Sequence, residues 1–209
     1  KGAGFLAEPQ KLDQFLDQIF SKLDMKISIK TRIGTHYEED WEYLLAIYEK
    51  YPIHELIIHP RIQTDMYRGV PRLGAYEKAV NRLKMPLCYN GNLFSAADYK
   101  RITERFPDTC CFMYGRGLIT NPGLVTEIRE GIRPNKKTVR EFHDCLFEEY
   151  RELLSGERNV LFRMKELWSY MAVNFTNYEK YAKKIKKSQH LSEYSSVVSS
   201  LFAEQDLID

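Results

Sequence analysis

The sequence predicts an α/β fold followed by a small all-α region, and three features support this prediction. In residues 1–132, short apolar segments rich in β-branched side chains alternate with amphipathic helical patterns, as in parallel sheets built from βαβ units. Polar residues recur about one βα unit apart, each where an apolar segment ends. In residues 133–209 the strand pattern stops, and only the helical spacing of apolar residues remains.

Four strands are predicted in the first region. They are Met25–Lys30, Glu55–His59, Met85–Tyr89 and Cys110–Tyr114. The polar residues or glycines at their ends are Lys30, His59, Asn90 and Gly115. In a βα barrel, such strand ends converge on the face that carries the chemistry. In an open α/β sheet they are ordinary polar strand ends, and the pattern alone leaves both interpretations open.

Four helices are predicted in residues 133–209, after an Arg133-Pro134-Asn135 linker. Thr138 and Glu141 have the spacing of a capping box, which predicts the start of the first helix. Between Arg133 and Lys187 there are 13 Lys or Arg residues and 8 Asp or Glu residues. A basic helical region favours a polyanionic partner, although a solvated helical face has the same composition.

The composition argues against several classes of protein. The 4 cysteines are Cys88, Cys110, Cys111 and Cys145, without a C-x-x-C motif, and this is typical of reduced thiols in a cytoplasmic protein without a zinc site. No apolar run is long enough to cross a bilayer, and the first residues do not resemble a signal peptide. We therefore expect a cytoplasmic protein with no metal and no membrane partner.

Two short motifs and two single residues in the first region have both a cofactor-binding and a structural interpretation. Gly115-Arg116-Gly117, with Asn121-Pro122 starting a helix, can cradle a phosphate, but it is also a common tight turn. Asn90-Gly91 is a standard turn pair. Lys30 and His59 can contact a cofactor or a substrate, or they are a snorkelling lysine and a satisfied structural histidine.

Taken in order, these segments resemble the tRNA-dihydrouridine synthase family. The segments that carry the resemblance are Ser28–Gly34, His59–Arg61, Asp65–Gly69, Asn90–Asn92, Gly115–Gly117 and Asn121-Pro122. The opening Lys1–Gly4 also looks like the stretch after that family's cysteine loop. Arg163–Trp168 is similar, more loosely, to part of the family's RNA-binding domain.

The resemblance implies the C-terminal half of an FMN-binding (β/α)8 TIM barrel, with strands five to eight in residues 1–132, and a helical tRNA-binding domain in residues 133–209. In this family, FMN reduced by NADPH gives hydride to a uracil ring of tRNA, and a cysteine supplies the proton. The implied cofactor-binding residues are Lys30, His59, Asn90, Gly91, Asn92, Gly115 and Arg116. The implied tRNA contacts are Arg61, Tyr67, Arg68, Arg163, Lys165, Lys180, Lys183, Lys184 and Lys187.

The chain departs from the family pattern at several points. Pro60 stands where the family usually has glycine, which removes a backbone N–H, and Asn92 stands where the family usually has an acidic residue. The family's cysteine is expected before Lys1, so no catalytic residue is expected in this chain, and the N-terminal half of the same barrel is an expected partner. The alternatives are a non-catalytic RNA-binding remnant of this fold and another FMN-barrel oxidoreductase.

Overall fold

The computed structural model describes residues 2–208, and the chain divides into two compact units. The first unit runs to Leu93 and also includes Lys100–Tyr114, whereas the second comprises Phe94–Tyr99 and the residues from Gly115 onward. The domain boundary predicted between residues 132 and 133 lies later in the chain than the division before Gly115. The prediction placed the boundary where the alternation of strands and helices ends.

The first unit is built on a four-stranded parallel sheet with the order β1-β2-β3-β4. The strands are β1 (Ser28–Arg32), β2 (Glu55–His59), β3 (Leu87–Tyr89) and β4 (Cys111–Phe112). The α/β prediction with a parallel sheet is confirmed, and β2 has the predicted bounds. The predicted β1, β3 and β4 begin before the observed strands, and the predicted β4 also ends later. A strand extends only as far as its neighbour pairs with it.

One α-helix precedes β1 and others follow β1, β2 and β3, and one face of the sheet is buried beneath helices. They are α1 (Pro9–Lys22), α2 (Asp40–Tyr48), α3 (Leu73–Arg82) and α4 (Ala96–Arg105), with short 3-10 segments at Gly2–Ala7 and Gln63–Asp65. Thr31, Ile58 and Tyr89 lie on the buried face. Trp41 of α2 is fully buried in this first core, and its Nε1 donates to the Ala75 carbonyl at 2.8 Å.

The opposite face of the sheet is less buried. Residues in register on parallel strands point to the same side, so Lys30, Ile57, Cys88 and Cys111 share this face. Lys30 is exposed, Ile57 and Cys111 are half-buried, and Cys88 is buried. We call this surface the Lys30 face; it also carries Arg32 and His59, two residues further along β1 and β2.

The second unit is helical from Arg116 onward. Its helices are α5 (Arg116–Thr120), α6 (Leu124–Glu130), α7 (Lys136–Leu153), α8 (Glu157–Met171), α9 (Tyr178–Lys187) and α10 (Leu191–Glu204), with a 3-10 turn at Ala172–Asn174. The capping box predicted at Thr138 and Glu141 was wrong. Asn135 is the N-cap of α7, and its Oδ1 accepts from the Thr138 backbone N–H at 3.0 Å. Asparagine is among the strongest N-cap residues, so α7 starts before Thr138.

A buried polar relay runs through the second core. Trp168 Nε1 donates to Tyr194 Oη at 2.7 Å, and that hydroxyl lies 2.6 Å from His143 Nε2. His143 Nδ1 lies 2.8 Å from Asp144 Oδ1, and Arg140 Nε donates to Asp144 Oδ2, also at 2.8 Å. Because Tyr194 Oη accepts from the indole, it can donate its own proton to His143 Nε2. The relay joins α7, α8 and α10.

Between residues 2 and 208, no helix has the length and apolar character needed to cross a lipid bilayer.

Candidate functional site

A row of polar side chains lies at the carboxyl ends of the first strands. Arg32 pairs with His59 in the register of β1 and β2. Asn90 follows β3, and its backbone N–H donates to the Ile58 carbonyl at 2.9 Å. Lys30 lies two residues before Arg32 on the same face, opposite Ile57. Lys30, predicted at a strand end, therefore lies within β1 and below the other members of the row.

Lys30 and Arg32 place two cations on the Lys30 face. The pKa of Lys30 is lowered, first by the desolvation of its partly packed side chain and then by the charge of Arg32. An opposite charge nearby would relieve both effects, since it favours the protonated amine. The part of this face around Lys30 and Arg32 therefore suits an anionic or electron-rich ligand, whereas Glu55 lies beside Cys111.

The neighbours of His59 determine which of its ring nitrogens carries a proton. His59 is buried, and its Nε2 lies 3.1 Å from Arg61 Nη1. A guanidinium has donors only, so Nε2 accepts this hydrogen bond. With Nε2 as the acceptor, Nδ1 is the ring nitrogen that can donate to a further group. The Tyr67 ring lies 6.2 Å away, centroid to centroid.

Arg61 is fully buried and organises the loop after β2. Its Nη1 and Nη2 both donate to Asn92 Oδ1 at 3.2 Å, and Nη2 also donates to the Gly69 carbonyl at 2.5 Å. Its backbone N–H donates to the His59 carbonyl at 2.7 Å across Pro60. This bond spans an inverse γ-turn, whose φ suits proline. These contacts favour a positioning role for Arg61 over the tRNA contact implied by the resemblance.

Arg32 also contacts this loop, and the sequence analysis did not select it as a site residue. Its Nη1 donates to the Ile62 carbonyl at 2.8 Å, and its Nη2 donates to the Met66 carbonyl at 3.0 Å. Its guanidinium lies 5.8 Å from the centroid of the Tyr67 ring. The two-residue spacing from Lys30 within a strand was the available signal, because it puts both side chains on one face.

The far end of this loop is exposed. The side chains of Met66, Tyr67 and Val70 are 59%, 59% and 80% exposed, and Arg68 is also exposed. An ion pair fixes the base of the loop, where Arg72 binds Asp65, and this arginine is the main reason that the pKa of Asp65 is lowered. Tyr67 and Arg68, both predicted tRNA contacts, therefore lie on the surface of an anchored loop.

The turn after β3 has structural contacts of its own. Asn90 Nδ2 donates to the Met113 carbonyl at 2.8 Å, which joins the ends of β3 and β4. A Cβ atom on Gly91 would lie 2.5 Å from Tyr89 Oη. Any larger residue at this position would have to displace the Tyr89 side chain, whether or not a ligand approaches. Asn92 Oδ1 accepts hydrogen bonds from the guanidinium of Arg61.

Cys88 and Cys111 have raised pKa values, so both are protonated thiols at neutral pH. Burial raises the pKa of Cys88 to about 12. A hydrogen bond with Glu55, followed by one with Cys110, raises the pKa of Cys111 to about 11. Within residues 2–208, no group of three or more His, Cys, Asp or Glu side chains is placed to hold a metal ion.

In the second unit, Gly115 is the N-cap of α5 and Arg116 is its first residue. A Cβ atom on Gly115 would meet no atom within 4 Å, so its backbone is open to approach. The Arg116 guanidinium lies 5.4 Å from the centroid of the Phe94 ring. The helix predicted to start at Asn121-Pro122 begins instead at Leu124, after a turn in which Asn121 Oδ1 accepts from the Gly123 backbone N–H at 3.0 Å.

The predicted basic surface of α9 is exposed. Its members are Lys180, Lys183, Lys184 and Lys187, all exposed beside the buried Tyr181 and Ile185. The ammonium groups of Lys180 and Lys184 lie 5.3 and 5.9 Å from the centroid of the Tyr181 ring. On α8, Arg163 Nη1 pairs with Glu166 Oε2 at 2.5 Å, and Lys165 Nζ donates to the Ser188 carbonyl. The α9 lysines therefore form one continuous cationic surface, whereas the two α8 cations have separate protein partners.

Several known proteins are similar to this chain. It is 24% identical to tRNA-dihydrouridine synthase B of Vibrio vulnificus over 77% of the chain and 48% of that protein. It is 29% identical to tRNA-dihydrouridine(16) synthase of Shewanella oneidensis, over 69% of the chain and 46% of that protein. It is 24% identical to probable tRNA-dihydrouridine synthase 1 of Synechocystis sp., over 100% of the chain and 57% of that protein.

The chain spans about half the length of these curated relatives. The family model described as Dihydrouridine synthase (Dus) matches residues 1–205, which is nearly the whole chain. The ordered motifs from Ser28 to Gly117 lie within this match. On this evidence, the chain belongs to the dihydrouridine synthase family.

Proposed function

We propose that this chain is part of a flavin-dependent tRNA-dihydrouridine synthase that acts in the cytoplasm. In this proposal, the four-stranded sheet supplies strands five to eight of a (β/α)8 TIM barrel, and residues 133–209 bind tRNA. The family match over residues 1–205 carries the proposal. The cations on the Lys30 face support it, because they lie at or near the carboxyl end of β1, and barrel enzymes place their sites at the carboxyl ends of the strands.

The residues on this face fit FMN as the cofactor. FMN, reduced by NADPH, would supply the hydride that saturates the uracil ring. Lys30 would contact the electron-rich flavin ring through its ammonium, with Arg32 adding positive charge on the same face. His59 would orient a ligand through Nδ1–H, since its Nε2 accepts from Arg61. Asn90, Gly91 and Asn92 would approach the ribityl chain and phosphate.

Gly115 and Arg116 are the proposed phosphate contacts. The backbone of Gly115 is open to approach, and the guanidinium of Arg116 can form a charge-assisted, bidentate contact with a phosphate. Both features are typical of phosphate sites.

The exposed loop after β2 is the proposed contact for the reacting nucleotide. A uridine must leave its stack before its ring can react, and Tyr67 offers an exposed aromatic surface for the displaced base. Arg68 would bind a neighbouring phosphate. Arg61 would hold this loop and the His59 ring in place.

Dihydrouridine formation tests the proposal. Unmodified tRNA would be incubated with NADPH, FMN and either the product of the complete gene or the 209-residue chain, and nucleosides would be measured by mass spectrometry. We expect dihydrouridine from the complete product and none from the chain alone, because the proton-donating cysteine would lie outside it. Product from the chain alone would refute this placement of the proton donor. Absence of both flavin and product in the complete protein would favour the RNA-binding remnant.

A further inference from the structure

Phe162 is an exposed aromatic ring on a helix that is otherwise well packed. Its neighbours Leu161 and Met164 are buried in the second core, whereas Phe162 is 71% exposed. Single exposed apolar residues are common on protein surfaces, so exposure alone assigns nothing to this ring. The residues around Phe162 decide the question.

Phe162 lies beside a cleft between α8 and the segment that joins α9 to α10. Arg158, Phe162 and Lys165 are spaced four and three residues apart, so they share one face of α8. Gln189 and His190 line the other side of a cavity of about 390 Å³. We call this cavity the Phe162 cleft.

Hydrogen bonds fix the two sides of the Phe162 cleft relative to each other. Lys165 Nζ donates to the carbonyl of Ser188, a fully buried residue at the end of α9. The backbone N–H of Gln189 donates to Glu193 Oε2 at 2.8 Å, which fixes the segment against α10. An ammonium has three donors, so Lys165 can bind Ser188 and a ligand together.

The charges around the Phe162 cleft favour an anionic occupant. Arg158 and Lys165 line it, and Glu157 is its only acidic lining residue among those that the structure describes. The segment that carries Gln189 follows directly on the exposed lysines at the end of α9. A polyanion held by these lysines would therefore continue towards the ring of Phe162.

We propose that the Phe162 cleft binds one unstacked nucleotide of tRNA, distinct from the uridine that reacts. Proteins hold such nucleotides by stacking the base on an aromatic ring and placing the phosphate on nearby cations. A volume of about 390 Å³ is at the small end for ligand pockets, so it accommodates one nucleotide and excludes a duplex. This inference rests on the proposed function, because tRNA is the partner proposed there.

The test compares two RNAs and three variants at Phe162. Affinities of the chain would be measured for an unmodified tRNA transcript and for a blunt RNA duplex. Phe162→Ala should weaken tRNA binding by about 5- to 150-fold, through loss of base stacking, without changing the salt slope, because no charge is removed. Phe162→Leu should also weaken tRNA binding, whereas Phe162→Trp keeps an aromatic ring and should retain the affinity of the unaltered chain. Duplex affinity should not change, since paired bases cannot reach the ring.

Matched controls separate the possible outcomes. Tyr43 on α2 is 72% exposed, so Tyr43→Ala removes an equally exposed ring and should leave tRNA affinity unchanged. Arg158→Gln should lower the salt slope by about one, as expected for one lost phosphate contact. If the chain binds tRNA and Phe162→Ala binds it equally well, the cleft proposal alone is overturned. If the unaltered chain does not bind tRNA, the tRNA-binding part of the proposed function fails, and the cleft proposal fails with it.

Discussion

Arg61 is a fully buried arginine whose guanidinium donates to several neighbouring groups of the first unit. Replacing it with methionine keeps the bulk but leaves Asn92 Oδ1 and the carbonyls of Arg68 and Gly69 without its donors. Because hydrogen bonds to a buried charge are costly to lose, Arg61→Met should lower the free energy of unfolding by about 2–4 kcal/mol. Urea denaturation would measure this. The matched control, Arg68→Met, removes an exposed guanidinium and should have little effect; equal midpoints for both variants would contradict the buried role of Arg61.

Arg116 allows a direct test of the proposed phosphate contact. In flavin-loaded protein, Arg116→Ala should weaken FMN binding by about 1.5–3 kcal/mol, because one charge-assisted contact would be lost. Flavin absorbance per protein after gel filtration would report the occupancy. Arg129 on α6 is exposed, and Arg129→Ala should retain full occupancy. Unchanged flavin content in the Arg116 variant would remove this residue from the site.

Some side-chain positions could be predicted from the sequence, and others could not. The motif spacing placed His59 and Asn90 at adjacent strand ends, because one βα unit returns the chain to the same edge of a sheet. The bond between Arg61 and Asn92 joins residues 31 positions apart, and no periodicity encodes such a pair. The proton position on His59 depends on that same arrangement, so it too required the structure.

α9 is the element best suited to test RNA binding. Changing Lys180, Lys183, Lys184 and Lys187 to glutamine removes four charges while keeping helix propensity. The salt slope of tRNA binding should fall by about one for each lysine that contacts a phosphate. Changing four exposed lysines elsewhere should leave the slope unchanged; suitable controls are Lys11, Lys22, Lys26 and Lys100. Identical slopes for the two quadruple variants would show that this α9 surface does not touch RNA.

The ends of elements were harder to predict than their presence. The predicted β1 started at Met25, which is 66% exposed, whereas pairing with β2 begins at Ser28 opposite Glu55. β-branched composition does not show where a partner strand begins. The edge strand β4 is shorter than predicted because it pairs only with β3, over Cys111 and Phe112. At α7, the N-cap is Asn135, which the sequence analysis assigned to the linker, and not Thr138.

Stability of the chain should depend on pH through His143. Burial lowers the pKa of His143, although Asp144 opposes this effect and Arg140 adds to it. The unfolded chain then binds a proton on this ring more readily than the folded protein does. Stability is therefore complete above the unfolded pKa of about 6.5 and is lost as the pH falls towards the lowered folded value. The slope can reach at most about 1.4 kcal/mol per pH unit for one proton.

Urea midpoints at pH 7, 6 and 5 would measure this dependence. His143→Gln keeps a hydrogen-bonding side chain without a titrating ring, so it should flatten the profile in this range. The pKa values of four carboxyl groups are lowered from ordinary values of 3.8 to 4.5, so the stability that they contribute is lost only at lower pH. These groups are Asp13, Glu42, Asp65 and Asp144. A midpoint for the unaltered chain that is constant from pH 7 to 5 would contradict the prediction.

The placement of Trp41 and Trp168 in separate cores has an optical consequence. The chain contains 2 tryptophans; one lies in the first core and the other in the second. Each indole is buried and hydrogen-bonded to its own surroundings, so its emission should shift to the red when that core opens. A chain with Trp41→Phe would emit from the helical unit alone, and a chain with Trp168→Phe from the sheet unit alone. Intrinsic fluorescence can therefore follow the melting of each unit separately, without an added label.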